Sequence, residues 1–136
     1  MAELIVPAKV TELDRVIDFV NVRLERLNCN EFDRAAIDIA VEEIFVNIAH
    51  YAYEFDKEGE AVVRATVQKD PAKIVLQFID SGTPYNPLER EDPDVELALD
   101  DRQIGGLGIF IVKESMDAVY YEYSEGKNIL TIEKNF

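Results

Sequence analysis

The spacing of apolar residues changes period several times along the chain, and each change marks an element. Leu4-Ile5-Val6-Pro7 is a short apolar run that predicts a first strand, placed at a sheet edge because Pro7 cannot donate a ladder hydrogen bond. Thr11-Glu12-Leu13-Asp14 has the form of a capping box and opens a helix whose stripe is Leu13, Ile17, Val20, Leu24 and Leu27. Asn28-Cys29-Asn30 breaks that helix and can cap a second, predicted from about Glu31 to Tyr53 on Ala36, Ala40, Ile44 and Ile48. After a turn at Lys57-Glu58-Gly59, Val63, Ala65 and Val67 alternate with polar residues as in a half-buried strand. The run Ile74–Ile79 is more fully apolar and is expected to lie more centrally, joined to the previous strand by a hairpin at Lys69-Asp70-Pro71-Ala72. From Ser81 to about Ile104 the pattern dissolves into Pro, Asp and Glu, and a connection of that length is usually functional or mobile. A third helix is predicted from near Gly108 to about Asp117, followed by strands Val119–Tyr123 and Ile129–Ile132 around a turn at Ser124-Glu125-Gly126-Lys127.

The order β-α-α-β-β-loop-α-β-β, with strands in neighbouring hairpins, predicts an α+β fold. Its form would be a two-layer sandwich, a mostly antiparallel mixed sheet with the helices on one face. It does not fit a βαβ nucleotide fold. At 136 residues the chain is expected to be one domain, 1–136, around one core. A hydrophobic content of 48% excludes collagen-like and disordered readings. Acids outnumber bases 28 to 14, for a net charge of −14, which argues against a general nucleic-acid binder or an anionic-membrane binder. Cys29 and His50 are the only residues of their types, so an internal disulfide and a conventional zinc site are excluded. Cys29 reads as a small apolar filler near a helix end. There is no basic-then-apolar leader and no apolar run near the roughly 18 residues of a membrane span. A cytoplasmic chain in a reducing compartment is expected.

Three polar features interrupt this pattern. On the second helix, Glu43 and Asn47 are four apart and share a face, with His50 a turn later. They are either a solvated stripe or a carboxylate and an amide oxygen aimed at a metal–phosphate group, since nucleotide-bound magnesium needs only one or two protein ligands. Asp80-Ser81-Gly82 ends an apolar strand, as an ordinary strand-to-loop turn or as a place where the backbone can approach something flat. Gly105-Gly106-Leu107-Gly108 leads into Ile109-Phe110-Ile111-Val112, as a hinge or as a helix start offering free N–H groups to an anion.

Taken in order, Glu43-x-x-x-Asn47, Asp80-x-Gly82 and Gly105-Gly106-x-Gly108 resemble the ATP-binding domain shared by gyrases, heat-shock chaperones and sensor histidine kinases. Asp80-Ser81-Gly82-Thr83-Pro84-Tyr85-Asn86-Pro87 and Gly105–Val112 further resemble the anti-sigma-factor serine kinases of bacterial partner-switching systems, over nearly the whole chain. The resemblance implies that Asn47 coordinates Mg2+ and that Glu43 is the general base toward the attacking hydroxyl. It implies that Asp80 accepts from the adenine amino group with Gly82 close to the base. Gly105, Gly106, Leu107 and Gly108 would wrap the phosphates, residues 85–104 would form a lid over ATP, and Thr131 would support the adenine pocket. Thr83-Pro84 stands where many superfamily members carry a second glycine. The lid holds seven acids (Glu89, Glu91, Asp92, Asp94, Glu96, Asp100, Asp101) against Arg90 and Arg102, so Arg102 is its one candidate phosphate contact.

Phosphoryl transfer asks a protein mainly to position groups and stabilise charge, and this short set suffices. The function expected is therefore an ATP-dependent protein serine kinase that phosphorylates an anti-sigma-factor antagonist and in its other state sequesters a sigma factor. The alternative is a non-catalytic, ATP-dependent binding switch. His50, within the nucleotide helix, is expected to be a packing or hydrogen-bonding residue beside the pocket and not a phosphoacceptor. A homodimer is expected from the family, with apolar residues on the first strand and helix available to form it.

Overall fold

The computed structural model describes residues 1–54, 57–89 and 107–136, with Leu107 described by its backbone alone. Its elements are β1 (Ala2–Pro7), α1 (Leu13–Leu24), α2 (Glu31–Tyr51), β2 (Glu60–Lys69), β3 (Ala72–Asp80), α3 (Leu107–Ser115), β4 (Ala118–Ser124) and β5 (Lys127–Asn135). The strands form one sheet in the order β1-β2-β3-β5-β4. Every pair in it is antiparallel, so the mixed character expected from the sequence is absent among the described residues. β3 and β4 run in the same direction across α3, but the β4–β5 hairpin turns inward and inserts β5 between them. That hairpin turns at Glu125 and Gly126, both with positive φ (53° and 77°), the pattern whose twist suits two-residue connections. β1 is an edge strand and β3 is central, as the sequence predicts.

The helix boundaries follow from local bonding. Thr11 lies inside a 3-10 turn, Val10–Glu12, and the residue before α1 is Glu12 with φ −92° and ψ 0°. A capping box needs extended backbone at that position, so no side-chain cap bond forms and the expected box is absent. A second 3-10 turn, Glu25–Leu27, ends at Asn28, whose left-handed φ of 50° stops the helix. The Asn30 side chain then caps α2 by accepting from Asp33 N–H at 2.7 Å. α2 stops two residues short of expectation because the next groups are engaged elsewhere. The Ala52 carbonyl accepts from Thr83 N–H at 2.9 Å, and the Tyr53 hydroxyl joins the start of β2 to the residue after β3.

All three helices lie on one face of the sheet. α1 contributes Val16, Val20 and Leu24 to the core, with Leu27 following; Leu13 and Ile17 are only half-buried, so the true stripe is centred on Val16. α2 buries Ile37, Ala40, Val41, Ile44, Phe45 and Ile48, a broad apolar surface, because it is packed by α1, by α3 and by the sheet. On the sheet's inner face two cross-strand rows are largely apolar: Ala2–Ala65–Leu76–Ile132–Val119 and Leu4–Val63–Phe78–Leu130–Tyr121. The next row, Val6–Ala61–Asp80–Asn128–Tyr123, turns polar at its centre. Asp80 and Asn128 are the two buried polar residues among those described, and the functional cleft opens beside them.

Candidate active site

A cleft of about 550 Å³ lies between α2, the inner end of β3 and β5, and the residues following β3. That space includes the open solvent at its mouth. Its apolar lining comes from Ile44 and Ile48 of α2, Phe78, Ile109 of α3 and Leu130. Asn47, Asp80, Thr83, Tyr85, Tyr121 and Asn128 supply the polar groups. Tyr51 (73% exposed) and Tyr85 (52% exposed) stand at its mouth.

The spacing of Glu43 and Asn47 places both on one face of α2, and the structure directs them to adjoining places. Asn47 lines the cleft. Glu43, one turn earlier and half-buried, packs against the first turn of α3. A Cβ added to Gly108 would lie 1.9 Å from the Glu43 carboxyl carbon. Only glycine lets the two helices bring a carboxylate to that helix start, where the backbone dipole is positive. Glu43 does not line the cleft itself.

At the other end, Asp80 Oδ1 accepts from Gly82 N–H at 2.9 Å and from Asn128 Nδ2 at 2.9 Å. No described residue donates to Oδ2, so this oxygen of a carboxylate that lines the cleft retains its acceptor capacity. A donor such as an exocyclic amine of a purine suits it. Gly82 has a structural reason of its own: a Cβ there would lie 2.0 Å from the Ala52 carbonyl oxygen, so its close neighbour is the end of α2. Burial pushes the Tyr121 hydroxyl above the usual tyrosine range, and the Asp80 charge raises it further. It remains a donor at neutral pH and gives its hydrogen bond to Asn128 Oδ1.

Two expected residues lie elsewhere. Thr131 is on the outer face of the sheet, where Gln77 Nε2 donates to its hydroxyl at 3.4 Å. It is one residue out of phase with Leu130 and Ile132, which face the core, so it cannot line the cleft from this strand. His50 is exposed and meets the Tyr51 ring edge-on, 5.9 Å between centroids, and does not line the cleft. Arg102, Gly105, Gly106 and most of the 85–104 lid fall outside the described residues.

Asn128 is the residue that the sequence reading missed. Asn128 falls between the turn predicted at Ser124-Glu125-Gly126-Lys127 and the strand predicted from Ile129, yet continuing the Leu130/Ile132 alternation back one step puts it on the inner face, opposite Asp80. Among the described residues no group of three His, Cys, Asp or Glu side chains could hold a metal. A divalent cation here would rely on the Asn47 oxygen plus phosphate and water oxygens, a set that suits nucleotide-bound Mg2+.

A family model for the histidine kinase-like ATPase domain matches residues 6–134. Curated proteins add similarity at modest identity. The serine/threonine-protein kinase BtrW of Bordetella bronchiseptica is 28% identical over 99 residues, covering 73% of this chain and 68% of its own. The serine-protein kinase RsbW of Listeria monocytogenes is 30% identical over 98 residues, covering 69% and 61%. RsbW of Bacillus subtilis is 26% identical over 98 residues, covering 68% and 59%. The matched region thus takes in 59–68% of the length of these three relatives. With a single model spanning nearly every element from β1 to β5, the chain belongs to the histidine kinase-like ATPase domain family.

Proposed function

We propose that the chain is an ATP-dependent protein serine kinase of a partner-switching system. Its substrate would be a small anti-sigma-factor antagonist, and in its other state it would hold a sigma factor. The observation that carries this reading is the position of Glu43. Its carboxylate rests against Gly108 at the start of α3, one helical turn from Asn47 in a cleft whose far end holds Asp80. That separation suits a nucleotide with its base at Asp80 and its phosphates toward α3.

In the proposed reaction Glu43 takes the proton of a serine hydroxyl as its oxygen bonds to the γ-phosphorus. The bond from that phosphorus to the bridging oxygen breaks, and ADP leaves with the electron pair. Mg2+, held by Asn47, would neutralise charge on the phosphates. Arg102, Gly105, Gly106 and Leu107 are proposed as phosphate contacts and residues 85–104 as the lid. The names of the curated relatives, all serine or serine/threonine kinases, support the activity.

The protein would work in the cytoplasm; no described helix is long and apolar enough to cross a membrane. A homodimer is proposed on exposed apolar residues of β1 and α1, such as Ile5 and Val22, and light scattering would test it. The kinase reading is tested with purified chain, Mg·ATP and the antagonist. Phosphate should transfer to serine, and Glu43→Gln should abolish transfer while ATP still binds. Transfer that survives the substitution removes Glu43 from its role. Complex formation with a non-hydrolysable ATP analogue, without turnover over hours, would favour the binding-switch reading.

A further inference from the structure

Asn128 is buried, 6% exposed, and faces Asp80 directly across the β3–β5 ladder. Its amide is fully used by protein neighbours. Nδ2 donates to Asp80 Oδ1 at 2.9 Å and to the Thr83 carbonyl at 3.0 Å. Oδ1 accepts from Tyr85 N–H at 3.1 Å and from the Tyr121 hydroxyl. A primary amide has two donor hydrogens and two acceptor lone pairs, so no capacity is left for a ligand. The amide's orientation is set by its surroundings, because the flipped form would aim its oxygen at a carboxylate and a carbonyl. Serine or threonine has one donor and is shorter, leucine has none, and an ionised aspartate would oppose Asp80.

We propose that Asn128 is a positioning residue for base recognition: it occupies Asp80 Oδ1, leaving Oδ2 as the acceptor that reads a purine amino group, and ties that carboxylate to the cleft wall at Thr83 and Tyr85. The inference rests on the ATP reading above and adds how the site distinguishes an amino-bearing purine. Without Asn128, Asp80 keeps only the Gly82 N–H on Oδ1, and the segment carrying Tyr85 loses its anchor on β5.

The test compares the affinity of Mg·ATP with that of the purine riboside triphosphate lacking the exocyclic amino group. The wild-type chain should prefer ATP by about ten- to a hundredfold, the range for one buried hydrogen bond with an otherwise unpaired partner. Asn128→Leu should bring ATP down to the affinity of the analogue. Combined with Asp80→Asn it should weaken ATP binding no further than Asp80→Asn alone, since both changes remove one interaction. Asn128→Asp gives a readout that a purely structural role would not move. At pH 5 the pair of carboxyls shares a proton, the introduced group donates to Asp80, and affinity should approach the wild type. By pH 8 both ionise and affinity should fall relative to the wild type measured at the same pH, a ratio that cancels the ligand's own phosphate titration. Among the described residues, the other titratable groups facing the pair are the phenols of Tyr53, Tyr121 and Tyr123, with Glu89 acting on Tyr121; all are common to both proteins.

A folded Asn128→Leu protein with undiminished preference for ATP overturns the inference, as do additive effects in the double variant. If Asn128→Leu does not fold, the pH profile of Asn128→Asp decides, and a flat profile overturns it. Wild-type chain that binds no ATP defeats the ATP reading and this inference together. Wild-type chain that binds ATP, with Asn128 variants binding alike, defeats only the inference.

Discussion

A methyl group added at Gly82 or at Gly108 meets two different obstacles. At Gly82 it would lie 2.0 Å from the Ala52 carbonyl oxygen, an atom held in place by the backbone hydrogen bond from Thr83. Backbone cannot yield cheaply, so Gly82→Ala is expected to destabilise the fold by about 1–3 kcal/mol, the usual cost of overpacking, read by chemical denaturation. At Gly108 the obstacle is the far end of the Glu43 side chain, which can swing aside. Gly108→Ala should therefore leave stability within about 1 kcal/mol of the parent, helped by the better helix propensity of alanine. The displaced carboxylate should instead cost phosphate transfer at least about tenfold, within the 10²–10⁴-fold that general-base catalysis contributes. Equal loss of stability at the two positions would contradict this account. Glu43, Asn47 and Asp80 were legible in the sequence because each polar residue breaks an apolar pattern. Asn128 was not, because it sits between the predicted turn ending at Lys127 and the predicted strand starting at Ile129, outside both patterns. Thr131 failed by parity: a strand that alternates faces turns a one-residue displacement into the wrong side of the sheet.

Among the elements, α2 buries a broad apolar surface, and polar bonds hold its N-terminal half, where Asp38 accepts from Asn21 of α1 and Arg34 donates to Asn21. The Asn30 cap is its first polar anchor, and Asn30→Ala should cost about 1 kcal/mol in denaturant titration without changing the cleft. The outer face of the sheet carries a different device at its β3–β5–β4 side. Lys73 lies 2.6 Å from Glu133, and the Tyr120 hydroxyl donates to the same carboxylate. The hydrogen bond from Lys73 and then that from Tyr120 hold the Glu133 carboxyl below the usual carboxylate range. A depressed carboxylate contributes stability above its unfolded pKa, about 4.3, and loses it as pH falls through the folded value. Glu133→Gln should lower Tm at pH 7, and the gap should close toward pH 3. The elements themselves were readable from period changes and hairpin residues. The position of β4 outside β5 was not, because pairing order is decided by which strand fills the gap beside β3 and leaves no trace in local alternation.

For the whole molecule, the acidic balance means that, under the proposed reading, a phosphate chain would be held by the cleft's own donors and by cations. Ligand binding to the folded state alone stabilises by about 2.7 kcal/mol at a hundredfold excess over Kd. In a domain of this size that corresponds to a Tm rise on the order of 10 °C with Mg·ATP. Asn47→Ala should lose most of the rise, and a chelator should reduce the parent to the same level; a full rise in the variant would take the cation contact away from Asn47. A rigid α2 has one more consequence. Glu43 and Ala52 are nine positions apart on and just beyond a continuous helix, about 13–14 Å at its fixed rise. Under the proposed reading this rod would work as a gauge for ligand length: adenosine would engage one extremity and leave the other empty, and only a molecule carrying a phosphate chain would span the interval.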